Sequence, residues 1–121
     1  MDGFQICKEI VGLHDGIVGA EIAEKGATVA AHAKSGSFPK LERLLVQTEL
    51  YISILHGSQE QLGRPHYIMA HNDGIDLYFF PMIINGRKMI LVVRVAVPYE
   101  HEQLVCKVRE YIGRLRLAET R

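Results

Sequence analysis

The chain has 121 residues, 48% hydrophobic and 23% charged, which suits one globular domain, residues 1–121, with one core and little disorder. Its 14 Lys plus Arg against 14 Asp plus Glu exclude the basic excess that non-specific nucleic-acid binding needs, and leave little colloidal repulsion against self-association. No stretch approaches the ~20 apolar residues of a membrane span, and the start, MDGFQICKEIVG, carries an acid where a secretory leader carries base, so a cytoplasmic chain without membrane insertion is expected.

In chain order, Phe4, Ile6, Cys7, Ile10 and Val11 fit a short amphipathic helix that Gly12 or Asp15-Gly16 ends. Ile17–Glu24 and Ala27–Ala33 flank Lys25-Gly26 and read as a tight hairpin. Its alanines, Ala20, Ala23, Ala30, Ala31 and Ala33, make it thin enough for a close neighbour. Ser35-Gly36-Ser37 breaks the chain, Pro39 suits a first helical turn, and a long helix over residues 39–62 runs to the stop at Gly63-Arg64-Pro65. A short strand over 66–71, the turn Asn72-Asp73-Gly74, a strand Ile75–Ile84, the hairpin signal Asn85-Gly86 and a strand over 87–97 form a three-stranded meander. After Pro98, Leu104, Val105, Val108, Tyr111, Ile112 and Leu115 mark a final helix.

Both faces of Ile75–Ile84 are apolar, with Ile75, Leu77, Phe79 and Ile83 on one and Tyr78, Phe80, Met82 and Ile84 on the other, so the sheet is expected to be covered on both sides. At ~100° per residue the long helix carries two stripes. Leu41, Leu44, Leu45, Thr48, Ile52, Leu55 and Leu62 suit the chain's own sheet; Val46, Leu50 and Ile54, with Gly57 continuing the line, fall roughly opposite. A chain this short has too few elements to wrap that helix, so a second copy is the expected cover. The strand over 66–71 reads as a sheet edge whose Tyr67, Ile68 and Met69 lack a guarding lysine or internal proline, and such an edge pairs with another chain. A two-fold axis would join two edges and two long helices. The expected dimer interface is therefore Val46, Leu50, Ile54, Gly57, Tyr67, Ile68 and Met69.

With its first strand, Asp15-Gly16-Ile17-Val18-Gly19-Ala20-Glu21-Ile22, its long helix, and its Asn85-Gly86 meander leading through Val97-Pro98 into a last helix, the chain resembles the roadblock dynein light-chain family. That family includes bacterial and archaeal members related to gliding-type GTPase regulators. One departure is the hairpin turn, Glu24-Lys25-Gly26-Ala27 where the family commonly has Asp-x-x-Gly. The resemblance implies an α/β chain of the α+β type, roadblock/profilin-like, in the order α-β-β-α-β-β-β-α. Its five-stranded antiparallel sheet would carry the long helix on one face and the terminal helices on the other. It also implies a homodimer, or a pair with a related roadblock chain, acting as a scaffold or regulator for a small Ras-like GTPase or a signalling or motility complex. Family members arrange the GTPase's own residues, so Arg43, Arg64 and Arg87 are assigned no arginine-finger role. The competing reading is a small-ligand sensor of PAS or GAF type, which a cavity between sheet and helix would favour.

No residue pattern points to chemistry. Gly12, Gly16 and Gly19 lack the Lys-Ser/Thr of a phosphate loop, and His14, His32, His56, His66, His71 and His101 form no ligand pair or cluster, so no cofactor or metal is expected. Neither Cys7 nor Ser37 sits in a nucleophile signature, so no catalytic residue is assigned and no enzyme is expected. Cys7 and Cys106 read as two buried free thiols, which would approach each other only if the first and last helices lie side by side. The basic residues Lys107, Arg109, Arg114, Arg116 and Arg121 of the last helix read as a solvated face. Arg94, inside an apolar strand, is expected either to snorkel to the sheet's end or to pair with a carboxylate, for which Asp76 is a candidate.

Overall fold

The computed structural model describes residues 2–36 and 41–119. Helix α1 (Gly3–Val11) starts at Asp2, whose carboxylate accepts the Gln5 N–H at 2.8 Å, and it ends at Gly12. Strands β1 (Ile17–Glu24) and β2 (Ala27–Ala33) follow, then α2 (Glu42–Gly57), a single turn α3 (Gln59–Leu62), β3 (Ile68–Ala70), β4 (Ile75–Ile84), β5 (Arg87–Ala96) and α4 (His101–Glu119).

Both hairpins close through pairs of residues at positive φ: Lys25 (52°) and Gly26 (79°), then Asn85 (52°) and Gly86 (78°). Two left-handed residues in succession make the turn whose twist matches the flanking strands, which is why each strand pair stops where its turn residues stand. Lys25-Gly26 thus supplies this turn in place of Asp-x-x-Gly.

The five strands lie in the order β2-β1-β5-β4-β3, every neighbour antiparallel. Strand parity then divides the core. Tyr78, Phe80, Met82 and Ile84 meet Ile6 and Ile10 of α1 and Leu104 and Val108 of α4 on one face. On the other, Phe79 with Ala23, Ile90 and Val92 packs under Leu45 and Ile52 of α2. The terminal helices therefore share one face and the long helix holds the other. The thin hairpin admits α1 closely: a Cβ added at Gly3 would lie 3.0 Å from the Ala30 Cβ. Tyr111 of α4 donates to a Glu9 carboxylate oxygen at 2.8 Å and ties α4 to α1.

Three expectations need correction. The helix over 39–62 is two pieces: α2 stops at Gly57, and Ser58, at φ −107°, turns its hydroxyl back to the Ile54 carbonyl before α3 begins. Glycine's helix cost at that point makes the break inexpensive. Leu62, placed in the core stripe, consequently sits past the sheet and is 69% exposed, while Leu45, Thr48 and Ile52 are buried as expected. The strand over 66–71 shortens to Ile68–Ala70. Pro39 and Ser37 lie outside the described residues.

The third correction concerns Arg94. Ile84 opposes Arg87 across the Asn85-Gly86 turn, and the same register sets Asp76 opposite Val95 and Arg94 opposite Leu77. Asp76 and Arg94 therefore point to opposite faces. Arg94 instead donates to Glu21 of β1 at 2.9 Å, with both residues buried, and Glu21 also accepts the Thr28 hydroxyl at 2.9 Å.

Candidate protein-interaction faces

Helix α2 buries one stripe and leaves another open. Val46, Leu50 and Ile54 are 57%, 64% and 58% exposed, and Tyr51 beside them is 59% exposed. Few globular chains leave four large apolar side chains on one helix face to water. Val46 is held in place from beneath, since it packs on Gly26, whose N–H donates to Glu49 at 2.8 Å. Gly57, exposed at the helix end, continues this face.

Strand β3 is a true sheet edge: it pairs with β4 through Ile68, Met69 and Ala70, and no described strand lies on its other side. Its side chains are less available than the sequence suggests. Tyr67 and Met69 pack on the core under α4, Ile68 packs under α2, and all three are half-buried. What this edge presents is therefore chiefly backbone N–H and C=O groups.

A hydrogen-bonded chain brackets the edge. His71, just beyond β3, meets Asp76 at 2.6 Å; Tyr99 donates to the other Asp76 oxygen at 2.5 Å; Tyr78 bonds Tyr99; and His101 Nδ1 lies 2.6 Å from the Tyr78 hydroxyl. Tyr67, just before β3, reaches His101 Nε2 at 3.4 Å. Proton counting orders the chain. Tyr99 gives its one proton to Asp76, so Tyr78 gives its own to Tyr99, and His101 must donate from Nδ1 to Tyr78.

Asp76 is the anchor of this chain. Burial alone would raise its pKa, but the bonds from Tyr99, His71 and the Asn72 N–H, with the His71 charge, hold it below the ordinary carboxylate range. Burial, with the bonds to Asp76 and Tyr78, pushes the Tyr99 hydroxyl far above a normal phenol, and burial raises Tyr78 as well. These bonds tie Tyr99, just before α4, and His101, at its start, to Tyr78 and Asp76 of β4 and, through His71 and Tyr67, to both ends of the edge strand. No sequence pattern groups Tyr78, Tyr99, His101 and Asp76, because the bend at Val97-Pro98 joins residues 21 to 23 positions apart.

The two cysteines differ. Cys7 is buried, and burial, then the Glu21 charge, pushes its thiol up to about 12; Cys106 is exposed, with its thiol facing Glu110 on its own helix at 3.6 Å. Two buried thiols and a Cys7–Cys106 pair are both set aside: α1 and α4 do share a face, but Cys106 points to solvent. Among the described residues no group of three His, Cys, Asp or Glu is placed to hold a metal, and no helix is long and apolar enough to cross a membrane.

No family model matches the sequence, and no curated protein matches it. Solved structures do. A roadblock/LC7 domain from Streptomyces avermitilis is similar over all of both chains, with TM-score 0.70 at 13% identity. The gliding protein MglB from Thermus thermophilus is similar over 97% of this chain and 88% of its own, with TM-score 0.71 at 15% identity. A further MglB, solved in a tetrameric arrangement, is similar over 96% of this chain and 87% of its own, with TM-score 0.71 at 16% identity.

Proposed function

From the premise that the chain has the roadblock fold, we propose that it is a non-catalytic scaffold that pairs with its own copy or a related roadblock chain. The pair docks a small Ras-like GTPase or a related signalling or motility complex. The observation that carries pairing is the open stripe of Val46, Leu50, Tyr51 and Ile54, opposite the face of α2 that covers the sheet. Burying Val46, Leu50 and Ile54 contributes on the order of 5 kcal/mol at ~25 cal/mol per Å², before the entropic cost of association. The unpaired edge at β3 supplies strand pairing along the same two-fold axis, and a solved MglB in a tetrameric arrangement is a self-associating relative in fold.

The docking half rests on the likeness to a gliding protein and on the family resemblance of the sequence. Its test is copurification of the chain with the small Ras-like GTPase encoded nearest to it. Retention of the GTPase by the wild type and its loss with Leu50→Asp is the expected result; no retention by the wild type in either nucleotide state overturns it. The sensor reading calls for a chamber between sheet and α2; under the middle of that helix the space is packed by Leu45, Ile52, Phe79, Ile90 and Val92, and the open space lies beside it, at the hairpin-turn end of the sheet.

A further inference from the structure

The even charge balance of the whole chain conceals a segregation along the strands. At one end of the sheet, where Ala96 bonds Gly16 and Val97 bonds Gly74, the loops carry Asp15, Asp73 and Glu100, with Asp76 at the start of β4 and Glu102 in the first turn of α4, against Lys34. The opposite, hairpin-turn end holds an open groove of about 840 Å³. It wraps the part of β4 that the short β3 leaves uncovered, since β3 opposes only Leu77, Tyr78 and Phe79. One bank is the flank of α2 at Ile52, Ser53 and His56, and the other is α4 at Arg109, Ile112 and Arg116.

The floor is apolar, with Pro81, Met82, Ile83, Met89 and Ile90 along the hairpin. The rim is basic. Lys25, Arg64, Lys88, Arg109 and Arg116 are all exposed, and among the described residues none of the five stands in an ion pair. Of the two carboxylates on the rim, Glu24 is neutralised by a two-pronged bond from Arg87, whereas Glu49 accepts the Gly26 N–H and keeps its charge, so the rim remains strongly positive. Five like charges around an apolar trough repel one another in the free chain, and a partner of opposite sign relieves that.

We propose that this groove docks an acidic segment of a partner protein, with carboxylates for the rim and two or three apolar side chains for the floor. A concave trough between two helices excludes a flat bilayer and a nucleic-acid duplex from the floor, whereas the methionines Met82 and Met89 adapt to side chains of varied shape. The proposal rests on the docking half of the reading above and not on pairing.

The test is selection of random dodecapeptides displayed on phage against the intact chain, followed by binding of the selected synthetic peptides. The expected winners are acidic with apolar anchors and weaken with added salt. They shift the amide resonances of Met82, Met89 and Ile112, and lose about tenfold or more in affinity with Lys88→Glu/Arg109→Glu, or with Arg116→Glu should the double variant fold poorly. Lys34→Glu at the far end leaves binding unchanged. Enrichment of neutral or basic peptides, shifts elsewhere, or no enrichment overturns the proposal, as does displacement of the peptides by phosphatidylserine vesicles or by duplex DNA. Light scattering on the same samples separates the two readings. A wild-type monomer that binds the peptides sinks pairing alone, whereas groove variants that change the mass overturn the proposal by showing that a second copy fills the groove.

Discussion

Val46 of α2 closes over Gly26 in the β1–β2 turn: a Cβ built on Gly26 would stand 2.7 Å from Val46 Cγ2. With the Glu49 bond to the Gly26 N–H, this contact fixes the height of α2 above the hairpin and the aim of its open stripe. Gly26→Ala adds a methyl against Val46 at a residue whose φ of +79° already disfavours any side chain. It is expected to cost about 2 kcal/mol or more in urea denaturation. Adding Val46→Ala relieves the clash and recovers part of the loss; a fully stable Gly26→Ala chain would show that the contact does not exist.

Glu21 and Arg94 are a buried ion pair on the α2 face. Removing Glu21 takes a carboxylate away from a buried guanidinium, so Glu21→Ala is expected to lower stability by about 3–5 kcal/mol. Replacing both, as in Glu21→Leu/Arg94→Met, is expected to restore most of it. A single substitution that costs nothing in chemical denaturation contradicts the pairing.

The Asp76 carboxyl titrates lower in the folded chain than in the unfolded one. Its contribution to stability is therefore present above the ordinary aspartate pKa and is lost as pH falls through the folded value. Tyr99→Phe deletes one bond to that carboxylate, costs about 1.5–3 kcal/mol near neutral pH, and raises the folded pKa. The midpoint of acid unfolding is expected to move to higher pH. An unchanged midpoint in a circular-dichroism pH titration would show that Tyr99 does not hold Asp76.

Cys106 is exposed and Cys7 is buried with a raised pKa, so one thiol per chain is expected to react with Ellman's reagent in native protein and two in guanidinium. Cys106→Ser abolishes the native reaction. Two fast native thiols would show that α1 does not sit on the sheet as described.

Much of the fold is legible in the sequence because local chemistry dictates it. Lys25-Gly26 and Asn85-Gly86 place two turns, and the strands Ile17–Glu24, Ala27–Ala33 and Ile75–Ile84 follow with the expected bounds. Where structure and expectation part, a signal is sometimes present. Gly57 continues the open stripe by helical period, yet it also marks the end of α2. Counting outward from Asn85-Gly86 pairs Asp76 with Val95, which is enough to keep Asp76 from Arg94. Glu21 is out of reach of such counting, since it meets Arg94 only through the β1–β5 register, 73 residues apart. The Tyr78–Tyr99–His101 chain and the basic groove are likewise products of strands and helices meeting end on, for which no short-range pattern exists. The stripe at Val46, Leu50 and Ile54 is legible because helical period alone separates it from the core.

Pairing of two chains through this stripe doubles the mass, which sedimentation equilibrium reads over a hundredfold range of concentration. The wild type is expected at twice the 13.6 kDa chain mass, and Leu50→Asp at the single-chain mass with its circular-dichroism spectrum intact. A wild type that stays at 13.6 kDa throughout, with no other roadblock chain able to shift it, would show that the stripe pairs no chains.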